Sequence, residues 1–174
     1  MKSLKTFLNE SSNDKKYELV KSDSIRIKSH ILYRIRALKD FSYRKYKLPS
    51  TFTKTVVDEM PTSTTDLDYI TIKVKAGDLG GYIEREQNLS QEGNCWIDGE
   101  ETQVCGYAKV RDNAVVCDSA FVFGSSLVCD NAEVSGHAEL RYECVIADNA
   151  LVTGYTKLKN KKVDGNEIVC TSYN

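Results

Sequence analysis

No apolar run in this chain approaches the roughly 20 residues that a helix needs to cross a bilayer, so no ordinary membrane-spanning helix is expected. The first residues, Met1 to Lys16, are polar and charged and lack the apolar stretch of a secretory leader, and a cytoplasmic location is expected. Histidine is scarce: His30 and His137 are the only two, which narrows the candidates for a general base. Proline is scarcer in distribution than in number, because Pro49 and Pro61 fall in one segment. There are 6 cysteines but no Cys-x-x-Cys pair, which removes the commonest zinc and redox signatures.

What is present is a chain of 174 residues, 41% apolar, long enough for one ordinary domain or two small ones. Its charge is unevenly spread. Residues 1–85 hold 17 Lys and Arg against 11 Asp and Glu, whereas residues 86–150 hold 3 against 12. That asymmetry predicts an acidic surface on the second half, suited to a basic partner.

From Gln103 the sequence divides into sixes: QVCGYA, KVRDNA, VVCDSA, FVFGSS, LVCDNA, EVSGHA, ELRYEC, VIADNA, LVTGYT, KLKNKK. The second position is always aliphatic, from Val104 through Val128 to Leu158, and the sixth is nearly always small. A period of six fits neither a helix nor plain strand alternation; it fits a two-residue strand and a turn, repeated. Asp-Asn-Ala recurs at 112–114, 130–132 and 148–150, so three units make one coil of a triangular prism. Asp, Asn and Gly tolerate the left-handed backbone that sharp corners require. The Asn113, Asn131 and Asn149 column is expected to form a side-chain ladder. This pattern resembles the hexapeptide-repeat family of left-handed parallel β-helices. The predicted architecture is all-β: a β-rich N-terminal module over 1–94, with an insertion at about 41–68, and a β-helix over 95–174. Ile97-Asp98-Gly99 looks like one earlier unit, a residue out of phase.

Upstream, KYELV, SIRIK and ILYRIRAL read as short strands, with a turn at Asp23-Ser24. The insertion is expected to be a loop or a loose hairpin built on TFTKTVV. Gly77 to Tyr82 is expected to be a tight corner leading into the β-helix. The strings LYRIRALKDF, VKAGDLGGYI and NLSQEGNCWI, followed by six-residue repeats, resemble a family of small proteins encoded by phages, prophages and other mobile elements of bacteria. The resemblance covers about 20–39 and 73–170, and residues 41–68 depart from it. Some mobile-element proteins act against host defences, CRISPR nucleases included. The resemblance therefore implies a non-catalytic binding protein in the bacterial cytoplasm, an inhibitor of a defence nuclease.

Two other classes compete. Many hexapeptide-repeat proteins resemble one another as trimeric acyltransferases that use a histidine as general base, and a self-assembling structural β-helix is the third class. His137 falls at a corner between Ser119 and Tyr155, but no loop interrupts 103–158, so the expectation here is no enzyme, no cofactor and no metal. Cys105, Cys117 and Cys129 are 12 apart and lie on three different faces, too far apart to share an ion. Cys144 takes a small inward position.

Binding candidates are the outward positions. Phe121 and Phe123 share one face; Leu127, Cys129, Val145 and Ala147 make an apolar block on the next. The N-terminal half, a second copy, or a foreign protein are the three possible covers, and a homo-oligomer, a dimer first, is expected. Glu133 and Glu139 sit on strand faces and, with corner acids such as Asp112, Asp118, Asp130 and Asp148, are expected to form negative rows that compete with nucleic acid for a basic protein. Any direct contact with nucleic acid is expected through the basic first half.

Overall fold

In a computed structural model, residues 14–173 are described. Of these, residues 79–171 form five coils of a left-handed parallel β-helix built on six-residue repeats. Each coil after the first has three short strands, and each strand stacks on its counterpart one coil away. The first coil is β5 (Leu79–Ile83), a bridge at Leu89, and β6 (Trp96–Ile97). The second is β7 (Gln103–Val104), β8 (Lys109–Val110) and β9 (Val115–Val116). The third is β10 (Phe121–Val122), β11 (Leu127–Val128) and β12 (Glu133–Val134). The fourth is β13 (Glu139–Arg141), β14 (Val145–Ile146) and β15 (Leu151–Gly154), and the fifth is β16 (Lys157–Lys159), β17 (Lys162–Val163) and β18 (Ile168–Thr171).

The register follows from the six-residue pattern. Val128 pairs with Val110 and Ile146, and Val122 with Val104 and Leu140, so the second position of each unit stacks inward. Those side chains are fully buried, with Ala108, Ala114, Ala120, Ala132, Ala138 and Ala150 filling the corners. Cys144 packs inward as expected. Corner residues take positive φ: Asp112 at 61°, Asp130 at 57° and Asp148 at 57°. Their carboxylates are used. Asp112 Oδ2 accepts from Asp130 N at 3.2 Å, Asp130 Oδ2 from Asp148 N at 3.2 Å, and Asp148 Oδ2 from Gly165 N at 2.9 Å. The Asn113, Asn131 and Asn149 ladder forms beside them, at 3.3 and 3.4 Å.

The parallel ladders begin upstream of the expected start and continue past the last six-residue unit. Upstream of residue 95, Ile83 already pairs with Val104 and Leu89 with Val110. Ile97 pairs with Val116, and the extra residue is absorbed in the turn closed by Thr102 N donating to Gly99 O at 3.3 Å. Downstream of Lys162, the fifth coil is one residue tighter: Val145 pairs with Lys162 and Val152 with Val169.

The upstream segments differ from expectation in three ways. β1 (Tyr17–Ile27) is one strand, and the predicted turn at Asp23-Ser24 is a bulge between Val20 and Ser24. The turn comes instead at Lys28, with φ of 53°. β2 (His30–Ala37) returns antiparallel and pairs with β5, so this hairpin continues one wall of the prism. Tyr17, Ile35 and Ala37 close the N-terminal end of the core over Trp96 and Ile97. Finally, β3 (Phe41–Tyr46) and β4 (Tyr69–Val74) form an antiparallel pair flanking the insertion, and TFTKTVV makes no hairpin. Its residues form a short helix, α1 (Lys54–Asp58), with the Thr53 hydroxyl accepting from Val56 N at 3.3 Å. The expectation about the first residues, through residue 13, lies outside the described residues. No helix among those described is long and apolar enough to cross a membrane.

Candidate functional site

Two of the three prism faces carry upstream segments, and this decides which outward side chains are free. On the β7–β10–β13 face, Ile25, Ile27 and Leu32 of the hairpin pack with Cys105, Phe121 and Phe123. The Phe121 and Phe123 rings stack 6.0 Å apart, and His30 meets Phe123 edge-on at 5.4 Å. His30 Nδ1 lies 3.0 Å from Glu84 Oε2, which also accepts from Gly106 N at 2.7 Å. Phe121 and Phe123 therefore pack against the hairpin, the first of the three covers expected for them, and stay partly exposed. Burying their apolar area against the same chain is available without the entropic cost of association.

On the β9–β12–β15 face the cover is β3. Tyr46 N donates to Glu133 Oε2 at 2.7 Å, and Glu133 is 2% exposed. Burial pushes its carboxyl up to about 7, against the opposing pull of Tyr46 N–H, Ser135 and Lys45. Glu133 Oε1 and the Tyr43 hydroxyl are buried without a hydrogen-bond partner. Glu133 thus lies under β3 and not on the surface. Glu139 is occupied as well: Arg141 Nη2 lies 2.9 Å from its Oε2 and Lys157 Nζ 3.2 Å from its Oε1. The corner carboxylates of Asp112, Asp118, Asp130 and Asp148 accept from N–H groups of the next coil, so they serve the turns of the fold.

The third face, β8–β11–β14–β17, carries Leu127 paired with Val145, both half-buried. Cys129 is buried beside Asp130, its thiol 3.4 Å from Oδ2. Burial raises the Cys129, Cys105 and Cys117 thiols, so none of the three is an activated nucleophile.

A cleft of about 900 Å³ opens where the 43–54 segment stands away from the prism corner. One wall is Tyr43, Tyr46, Pro49, Phe52 and Lys54; the other is Gly136, His137, Tyr155 and Tyr173, with Asp98 and Asp118 between them. His137 is exposed there because its unit, EVSGHA, puts it just past a corner glycine. Its backbone is fixed, His137 N donating to Gly154 O at 2.7 Å, and its ring lies flat on Tyr155 with centroids 4.6 Å apart. Tyr155 in turn meets Tyr173 edge-on at 5.1 Å. Asp118 is held from both sides: its Oδ2 accepts from Gly136 N at 3.0 Å, and its Oδ1 pairs with the Lys45 amine. Burial opposes the charge on Lys45, but Cys117, Asp118 and Glu133 outweigh it and hold the ammonium above its ordinary range. The corner position of His137 was legible in the repeat; the wall opposite it was not, because that wall is supplied by the non-repeating insertion.

No family model matches the chain. A stretch of 51 residues is 39% identical to the "Uncharacterized acetyltransferase YdcK" of Escherichia coli strain K12, covering 29% of this chain and 16% of that protein. The chain thus spans about one-sixth of the relative's length. The similarity to a protein so named overturns the expectation of a non-enzyme, which had rested on the uninterrupted coils from 103 to 158. The wall that an excursion from the coils would supply comes instead from residues 43–54.

Proposed function

We propose that this protein transfers an acyl group to a hydroxyl or amine, with His137 as the general base. The observation that carries the reading is the placement of His137: a rigid corner fixes its backbone, Tyr155 fixes its ring plane, and it opens into a cleft of about 900 Å³. The relative's name points the same way.

An acyl thioester of the coenzyme A kind would supply the activated carbonyl. The cleft fits such a donor in size, since pockets for ligands of that class run to about 1,000 Å³. Its lining fits in chemistry too. Lys47 and Lys54 stand exposed on the 43–54 wall, where they would take phosphate charge, and Pro49 and Phe52 offer apolar surface for an extended chain. The acceptor would lie against the Tyr155 side, where His137 would take the proton that the acceptor loses as its oxygen or nitrogen attacks. Asp98 favours an acceptor that carries positive charge, and the aromatic rings of the cleft suit the same group.

The test is a calorimetric titration with acetyl-coenzyme A, followed by thiol release with amine and hydroxyl acceptors. Binding in the micromolar range and turnover that falls about 100-fold or more in His137→Ala, with an unchanged melting temperature, support the reading. No heat at millimolar donor, or full turnover in His137→Ala, overturns it.

A further inference from the structure

At the N-terminal end of the prism a lysine is buried with no carboxylate of the described residues in salt-bridge contact. Lys16 is 4% exposed, and its amine donates to the carbonyl oxygens of Cys95 at 2.9 Å, Gly93 at 3.2 Å and Glu92 at 3.3 Å. Three carbonyls satisfy three N–H bonds, which is how an ammonium survives out of water. The fourth neighbour is the Cys95 sulfur, 3.2 Å from the amine nitrogen and itself fully buried. A cap for the prism end needs only the carbonyls; the sulfur adds a reactive partner at contact distance. The backbone is held on both sides. Lys16 N and Tyr17 N both donate to Gln91 Oε1, at 2.8 and 3.2 Å, and the Tyr17 hydroxyl donates to Leu89 O at 2.7 Å. The two atoms therefore stay together.

We propose that Lys16 and Cys95 form an oxidation site at which peroxide installs a single oxygen bridge between the amine nitrogen and the thiol sulfur. The balance is as follows. One peroxide converts the Cys95 thiol to a sulfenic acid and releases one water. A second peroxide, with the neutral Lys16 amine, closes the bridge and releases two more. One N–H and the S–H are lost, the N–O and O–S bonds form, nitrogen and sulfur are each oxidised by two electrons, and the two peroxides take up all four. Burial holds the Lys16 amine below its ordinary pKa, which favours the neutral nucleophile. Burial also raises the Cys95 thiol, so the reaction calls for prolonged exposure and Cys95 resists rapid over-oxidation. Cys117 also has a lysine beside it, Lys45, but that amine is paired with the Asp118 carboxylate and held as an ammonium. The bridge would staple the start of β1 to the loop that closes the first coil, 79 residues along the chain. It stands independently of acyl transfer.

The experiment incubates the full chain with hydrogen peroxide and follows intact mass and peptide maps. The expected product gains one oxygen and loses two hydrogens, about 14 Da, and maps to one linked peptide holding Lys16 and Cys95. Excess dithiothreitol should restore the starting mass, and the melting temperature should rise with the bridge and fall on its reduction. Lys16→Arg and Cys95→Ser should each abolish the linked peptide. Should either fail to fold, the wild-type peptide map decides alone. Cys95 recovered only as free thiol or as sulfinic or sulfonic acid, with Lys16 unmodified, would overturn the proposal. So would the same adduct in Lys16→Arg.

Discussion

Tyr46 N and Glu133 Oε2, 87 residues apart in sequence and 2.7 Å apart in space, fasten β3 to the face of the β-helix through a carboxylate that water does not reach. Burial of that carboxyl, which outweighs the pull of the Tyr46 N–H, gives the fold a pH dependence of defined sign. The folded pKa of Glu133, about 7, lies above the unfolded value near 4.5. The folded state therefore holds a proton that the unfolded chain releases, and the stability this confers is full below about pH 4.5 and lost as pH rises through 7. Glu133→Gln should remove that slope and stabilise the protein at pH 8 by an amount on the order of 3 kcal/mol. Denaturant melts of both proteins between pH 4 and 8 check this. Parallel pH profiles would show that Glu133 does not titrate in that window.

The corner aspartates separate a turn role from a charge role. Asp130 has φ of 57° and accepts from Asp148 N. Asp130→Asn keeps both the acceptor and the tolerance of that backbone, and should fold with little change. Asp130→Ala loses both and should cost about 1–2 kcal/mol in a urea melt. Equal stability of the two variants would mean that the charge, not the turn, accounts for the aspartate.

In the core, Val128 stacks between Val110 and Ile146 and is wholly buried. Val128→Asp places a carboxylate among aliphatic side chains with nothing to pair it, and should cost at least about 3 kcal/mol. A melting temperature equal to wild type would mean that position 128 does not face inward.

Two glycines of positive φ distinguish backbone strain from crowding. Gly77, φ 99°, has open space where a Cβ would project, whereas at Gly124, φ 84°, the added atom would meet Tyr142 O at 2.6 Å and Tyr142 N at 2.7 Å. Gly77→Ala pays only for the left-handed backbone, about 1 kcal/mol, and Gly124→Ala should cost at least about 2 kcal/mol more, since one coil cannot shift without the next. Thermal melts of the pair give the difference directly.

The six-residue period, the inward column from Val104 to Leu158, the corner aspartates and the asparagine ladder were all legible in the sequence. The reason is that each is set by contacts 18 residues apart, repeated coil after coil. A constraint that recurs leaves a periodic trace, and the trace carries the register with it. The non-repeating segments leave no such trace. Whether Phe121 and Phe123 face water or Ile25, Ile27 and Leu32 depends on how β1 and β2 curl over the prism, and nothing in either string specifies the other. Glu133 looked like a surface acid because its unit has the same form as its neighbours; only Tyr46, arriving from the insertion, makes it a buried one. The same holds for the candidate site. The sequence by itself put His137 just past a corner, since Gly136 and the repeat determine that. Only the tertiary structure set Tyr46, Phe52 and Lys54 across from it, because a cleft is a relation between a periodic scaffold and an aperiodic strap, and packing alone decides where the strap lies.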